Sequence, residues 1–323
     1  MPSRNERTNM KKGKRKVLLV VDGSYQSFET VNYVSGVLPT PGTEVVLLHI
    51  MSRIPDAFWD LEKDPLWQQK VLTVRGWEQQ QEKKINDFMG RARQVLVGAG
   101  FAPESVKVDI RERKLGIARD IGVESRVGGY DVTVIGRRGL SALQDLALGG
   151  IAGKLVVKLT HTSIWLVGGR PEPHHILIGM DSSDGAMQAV KHVAEMTGSD
   201  VRRICLVHVI RTLSAGSEDN GQVFSEDYLR RRLEEASIRI EPVFDKAVAC
   251  LAAAGIPAEK ISTRVLTGAS SRAGAILEMA HGEGYGTIVV GRRGLSTVDD
   301  FDMGRVSNKL VQTAKDRAVW IAG

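Results

Sequence analysis

A chain of 323 residues, 42% hydrophobic and 25% charged, has room for two compact domains of about 150 residues each, and none of its apolar runs approaches the roughly 20 residues that cross a bilayer. The net charge of +6 is concentrated in residues 1–16, MPSRNERTNMKKGKRK, where seven Lys or Arg meet one Glu. The other residues hold 37 basic and 37 acidic side chains out of totals of 44 and 38, a neutral body that argues against a dedicated nucleic-acid binder.

Residues 1–15 read as a disordered basic tail, and with no apolar segment behind the charges they are not a secretory signal. A solvated tail, or a start at Met10, competes with loose contact to nucleic acid or anionic lipid. A strand is expected over 17–21, running into Asp22-Gly23-Ser24 and a helix over about 26–37. A second strand, 45–50, closes on His49 and Ile50. The connection after it carries Trp59, Trp67 and Trp77, which fit either a lid or partner surface or packing on the outer helices. Over 75–99 the residues Trp77, Ile85, Phe88, Met89, Ala92, Val95 and Leu96 mark one helical face. A weaker strand at 106–111, a helix over 115–127, a strand at 132–135, a helix over 149–160 and a last strand at 163–167 follow. The short runs of Val, Ile and Leu fit strands covered on both faces. Five strands alternating with four helices predict an open, doubly wound α/β domain with a parallel sheet and helices on both faces. Its ligand crevice belongs at the carboxyl ends of the strands, where the strand order switches.

Glycines and prolines in GGRPEPHH then interrupt the pattern, and the same pattern starts again. The expected division is a first domain at 16–168, a linker at 169–174 and a second domain at 175–323. At an offset of 155 residues, GRRGLS at 136–141 meets GRRGLS at 291–296, KLV at 154–156 meets KLV at 309–311, and Trp165 meets Trp320. Upstream the offset is 159, pairing KVLLVVDGS (16–24) with HILIGMDSS (175–183), as one loop insertion between shared elements produces. Cys205 and Cys250 form no CxxC or Cys/His spacing and read as reduced core residues of a cytoplasmic protein.

The candidate chemistry lies in GRRGLSALQDLALGG, from Gly136 to Gly150, and its twin GRRGLSTVDDFDMGR, from Gly291 to Arg305. Glycines let main-chain N–H groups approach phosphate oxygens, and a helix start adds orphan donors and the positive end of the helix dipole. The bland alternative is a strand-to-helix turn that merely needs small residues. Asp22 and Asp181 fit ligand contact or a turn or N-cap role. Arg137, Arg138, Arg292 and Arg293 read as solvated loop residues ahead of phosphate ligands, and His49 and His208 as packed neutral histidines ahead of catalysis. Walker A, G-x-S-x-G, HExxH and G-x-G-x-x-G patterns are absent, so no catalytic residue and no metal site is assigned.

With G-x2-G-x9-G in both halves and an aspartate closing each first strand, the chain resembles a tandem universal stress protein over nearly everything after residue 16. The resemblance implies binding of ATP or another adenine nucleotide, with Mg as an accompanying ion, in at least the first domain. It assigns Asp22, Ile50, Gly136, Gly139, Gly149, Gly150 and Ile151 to the first site. To the second it assigns Asp181, Val209, Gly291, Gly294, Gly304, Arg305 and Val306. The aspartate and the backbone of Ile50 or Val209 would meet the adenosine end; the glycine loop and the start of the next helix would meet the phosphates. It also implies a pseudo-dimer, with the last strands pairing near Trp165 and Trp320, and a stress-response role through an unidentified protein partner, with homodimers of the chain left open. One departure stands out: the hydroxyl residue that follows the third glycine in the family is Gly150 in one half and Arg305 in the other. Arg305 could fork onto a phosphate or fill the cleft and reach Asp181, Asp299 or Asp300, so a nucleotide-free scaffold is the rival reading and a slow ATPase a third.

Overall fold

The computed structural model describes residues 15–52, 68–139, 148–198, 201–211, 226–295 and 303–323. In chain order the first half contains β1 (Arg15–Val20), α1 (Tyr25–Val37), β2 (Thr43–Met51), α2 (Gln68–Gly98), β3 (Val106–Glu112), α3 (Ile117–Val127), β4 (Val132–Gly136), α4 (Gly150–Lys158) and β5 (Ser163–Val167). The second half repeats the series as β6 (His175–Gly179), α5 (Asp184–Met196), β7 (Arg203–Arg211), α6 (Glu226–Ala253), β8 (Ile261–Ala269), α7 (Arg272–Gly282), β9 (Thr287–Gly291), α8 (Arg305–Thr313) and β10 (Ala318–Ala322). The expected elements are all present. The largest boundary difference is α2, which starts at Gln68 rather than near residue 75. Residues 68–74 contain no helix breaker, whereas the apolar stripe that signals the helix begins only at Trp77.

Each half is a parallel five-stranded sheet, β3-β2-β1-β4-β5 and β8-β7-β6-β9-β10, and the two join into one ten-stranded sheet through β5 and β10. That central pair is antiparallel and places Trp165 opposite Trp320. Alternation along the strands feeds two apolar layers, one on each face. Val17, Leu19, Trp165 and Trp320 pack with α1, α2, α5 and α6; Leu18, Val20, Ile164 and Ile321 pack with α3, α4, α7 and α8. Both layers run through the two halves without a break, so the halves share their cores.

The junction is aromatic and dry. The indoles of Trp165 and Trp320 stack at 3.7 Å and 3°. His192 of α5 stands edge-on to both, and Tyr33 of α1, its equivalent 159 residues earlier, stands edge-on to Trp165. Each buried indole N–H finds an acceptor: Trp165 donates to His192 Nε2 at 2.9 Å and Trp320 to the Tyr33 hydroxyl at 2.9 Å. The His192 proton therefore sits on Nδ1, facing Ser163 Oγ at 3.3 Å. Burial pushes the pKa of His192 down to about 4, so the ring is neutral in the fold.

Two arginines correct the expectation for GRRG. Arg137 and Arg292 are buried, at 1% and 7% exposure, and neither is a solvated or phosphate-facing loop residue. Each crosses to the other half and meets the carboxyl end of its last helix. Arg292 donates to the carbonyls of Val156, at 2.9 Å, and Leu159, while Arg137 donates to the carbonyl of Val311. The last carbonyls of a helix have no intrahelical donor and carry the negative end of its dipole, which a guanidinium satisfies. Burial lowers Arg137 to about 10, with nearby Arg138 adding to the effect.

Candidate functional site

β1 runs on into α1 on one face of the sheet, and β4 leads to α4 on the other, so a cleft opens between their carboxyl ends. It forms a cavity of about 790 Å³. The equivalent cleft between β6 and β9 holds one of about 650 Å³. Asp22, Ile50, Gly136, Gly139, Gly149, Gly150 and Ile151 all line the first, and Asp181, Val209, Gly291, Gly294, Gly304, Arg305 and Val306 all line the second.

The aspartates are held by their own turns. Asp22 Oδ1 accepts the Ser24 N–H at 3.0 Å and the Ser27 hydroxyl at 2.5 Å. Asp181 Oδ1 accepts both the N–H, at 3.0 Å, and the hydroxyl of Ser183. Capping falls to the serines, since Ser24 caps α1 and Ser183 caps α5; the aspartates close Asx turns instead. The second carboxylate oxygen faces the glycine loop. A Cβ on Gly139 would collide with Asp22 Oδ2, and one on Gly294 would stand 2.8 Å from Asp181 Oδ2.

The remaining motif glycines divide by task. A Cβ on Gly136 would stand 3.3 Å from Thr30 of α1 and from the Arg138 carbonyl, a tight fit, whereas one on Gly291 would overlap the backbone of Gly185 on α5. Gly149 and Gly304 spend their N–H groups on the carbonyls of Arg137 and Arg292, at 2.9 and 2.8 Å, which closes the base of each loop. They are also the N-caps of α4 and α8, where no side chain caps the helix. First-turn amides have no intrahelical acceptor, so Gly150 and Ile151, and likewise Arg305 and Val306, bring a donor-rich, dipole-positive helix start to the cavity wall.

His49 and His208 each place Nδ1 against a backbone carbonyl, Val21 at 2.9 Å and Met180 at 2.8 Å. Burial holds the pKa of His49 below its usual value, outweighing that hydrogen bond and the charge of Asp22. Both are structural ties between the first two strands of a half. Arg138 and Arg293 line their cavities and are exposed. Arg305 is exposed and pairs with no described carboxylate, Asp181 included; Asp299 and Asp300 lie outside the described residues, as do Trp59, Trp67 and residues 1–14.

Sequence reasoning missed the apolar wall of the first cavity and one cation per site. Ile117 and Ile121 from α3 join Trp77 and Ile85 from α2 in that wall. Lys154 and Lys309, one helical turn after Gly150 and Arg305, line the two cavities. Their signal was present in the shared KLV of both halves. Cys205 is buried and Cys250 half-buried, and both are free. Among the described residues no group of three or more His, Cys, Asp or Glu could hold a metal ion, and no helix is long and apolar enough to cross a membrane.

The chain is a duplicated, doubly wound α/β unit with a helix start that no side chain caps at each switch point. The universal stress protein family model matches residues 14–167 and again 173–317, and the chain belongs to that family. A Thermus aquaticus relative, named for a universal stress protein in the QAH/OAS sulfhydrylase 3' region, is 33% identical over 140 residues, which is 43% of this chain and 91% of the relative. A universal stress protein structure from Archaeoglobus fulgidus aligns over 96% of this chain and 98% of its own, with a TM-score of 0.56 at 17% identity. A functionally unknown protein from Pseudomonas aeruginosa PAO1 aligns over 97% and 94%, with a TM-score of 0.55 at 12% identity. At these identities the likeness to the solved structures concerns the fold.

Proposed function

We propose that the first half binds an adenine nucleotide (ATP, ADP or AMP) and that the protein serves as a stress-response signalling or protective module in the cytoplasm, not as an efficient enzyme. One arrangement carries this reading. The uncapped start of α4, at Gly150 and Ile151, lines the same cavity as Asp22 and as an apolar wall of Trp77, Ile85, Ile117 and Ile121. Phosphates are favoured at such a helix start, and a purine ring is favoured against apolar and aromatic side chains. The Ile50 backbone and Asp22 lie toward the nucleoside end. A cavity of about 790 Å³ falls within the range of small-molecule sites. A magnesium ion would be held mainly by the phosphates, because no described carboxylate cluster lines the cleft. Among the described residues His49 is committed to the Val21 carbonyl and Asp22 to the turn that leads into α1, so neither is assigned as a catalytic base. The nucleotide would then bias a conformation or a partner contact.

Protein purified under native conditions and denatured by heat is expected to release an adenine nucleotide, or to bind added ATP if it emerges empty. A clean supernatant together with no ATP binding would end this reading. The rival, an interaction scaffold without ligand, is favoured in the second half by Arg305 at the hydroxyl position. Tight ATP binding produced there by Arg305→Ser alone would contradict it.

A further inference from the structure

We propose that the second cavity takes a small polyphosphate-type anion that carries no aromatic base. This goes beyond the nucleotide reading of the first half and does not depend on it. Three positions make the difference. Where the first cavity has Ser52, Ile117 and Gly150, the second has Arg211, Arg272 and Arg305, found 159, 155 and 155 residues further on. With Arg293 and Lys309 they put five cations in the wall of one cavity of about 650 Å³, against a single carboxylate, Asp181, among the described residues. None of the five pairs with a described carboxylate.

Like charges gathered around one cleft repel one another and focus a positive field into it, which a multiply charged anion relieves. Guanidinium forks match phosphate oxygens in pairs, and the uncapped start of α8 adds backbone donors to the same wall. Two observations turn this cavity away from a nucleoside. Arg272 Nε donates to the Val209 carbonyl at 3.3 Å, so the side chain lies across the backbone position that would face the adenosine end. The apolar wall is also reduced, with Ile276 kept as the counterpart of Ile121. Arg272 stands in the place of Ile117, no described residue of α6 reaches the cavity, and the counterpart of Trp77 is Arg232, which pairs with Glu235 at 3.4 Å along α6.

The test is calorimetric titration of the full chain carrying Gly139→Val, which blocks the first cavity, with inorganic triphosphate. One binding site per chain is expected, weakened by added salt and not competed by adenosine. Replacing Arg211→Ser, Arg272→Ile and Arg305→Gly together is expected to weaken it at least about tenfold, the loss that even one charged hydrogen bond represents. These are the residues that the same fold already carries in its first half. The exposed single change Arg305→Glu, measured alongside, is expected to weaken binding in the same direction. Failure of triphosphate to bind, binding indifferent to both sets of changes, or ATP preferred over triphosphate at this site by more than about tenfold would overturn the proposal. None of these outcomes depends on whether the unblocked first half holds a nucleotide, so the two readings fail separately.

Discussion

The two cavities share a backbone plan and part company in their walls. Both lie at a switch point, both are framed by an aspartate in an Asx turn, and both open onto a helix capped only by glycine. In the first, two isoleucines of α3 and Trp77 of α2 make a surface suited to a flat base. In the second, arginine replaces one of those isoleucines, no described residue of α6 lines the cavity, and five cations stand against one described carboxylate, where the first has Lys84, Arg137, Arg138 and Lys154 beside Asp22 and Glu78. The fold decides where a ligand sits, and a few side chains decide its chemistry.

The strongest way to break the comparison is to block one site at a time. Gly139→Val drives a side chain into Asp22 Oδ2 and is expected to abolish nucleotide binding while leaving the second cavity open to triphosphate. Retained ATP affinity in a folded Gly139→Val protein would remove the aspartate–glycine contact from the account.

The junction offers a second comparison, because equivalent positions hold Tyr33 and His192. The His192 pKa of about 4 in the fold lies below its ordinary 6.5. Stability is therefore complete above pH 6.5. It falls as pH drops from there towards 4, since the unfolded chain takes up the proton that the folded one refuses. A shift of this size corresponds to about 3 kcal/mol. Burial moves Tyr33 upward, away from this window. Urea unfolding at pH 7 and pH 4.5 is expected to show a larger acid loss for the wild type than for His192→Tyr, and equal losses would remove His192 as the cause.

The crossed arginines differ in the same measurable way. Arg292→Met leaves two α4 carbonyls without a donor and is expected to cost roughly 2 to 3 kcal/mol. Arg137 makes one such bond and keeps Nε and Nη1 buried without partners, so Arg137→Met should cost about 1 kcal/mol or less. Matching urea midpoints for the two variants would contradict this asymmetry.

The smallest expected effect restores the missing hydroxyl. Nothing stands within 4 Å of a Cβ at Gly150, so Gly150→Ser should fold normally and tighten ATP by about tenfold through one charged hydrogen bond. Titration giving an unchanged or weaker affinity would mean that the phosphates do not reach the start of α4.

Much of this was readable in the chain. Runs of Val, Ile and Leu mark strands covered on both faces, and the duplicated glycine spacing marks both clefts. The pairing of Trp165 with Trp320 was implied by the family resemblance, in which the last strands pair. What stayed hidden depends on distant partners. Nothing near Arg137 or Arg138 tells them apart, yet the side chain of one is buried against a carbonyl 174 residues away and that of the other is exposed. The isoleucine wall was equally silent, because Ile117 and Ile121 look like any helix stripe until α3 is set beside α2 across the cleft. Asp22 and Asp181 read as ligand contacts or as turn or cap residues; the structure shows the turn, while the serines two residues on do the capping.

On the proposed function, one of the two clefts takes a nucleotide and the other does not. Calorimetric titration of the unliganded full-length protein with ATP, repeated on Gly139→Val and on Gly294→Val, measures this directly. One tight site per chain is expected, lost in Gly139→Val and kept in Gly294→Val. Two equivalent tight sites, or a single site lost in Gly294→Val, would contradict it.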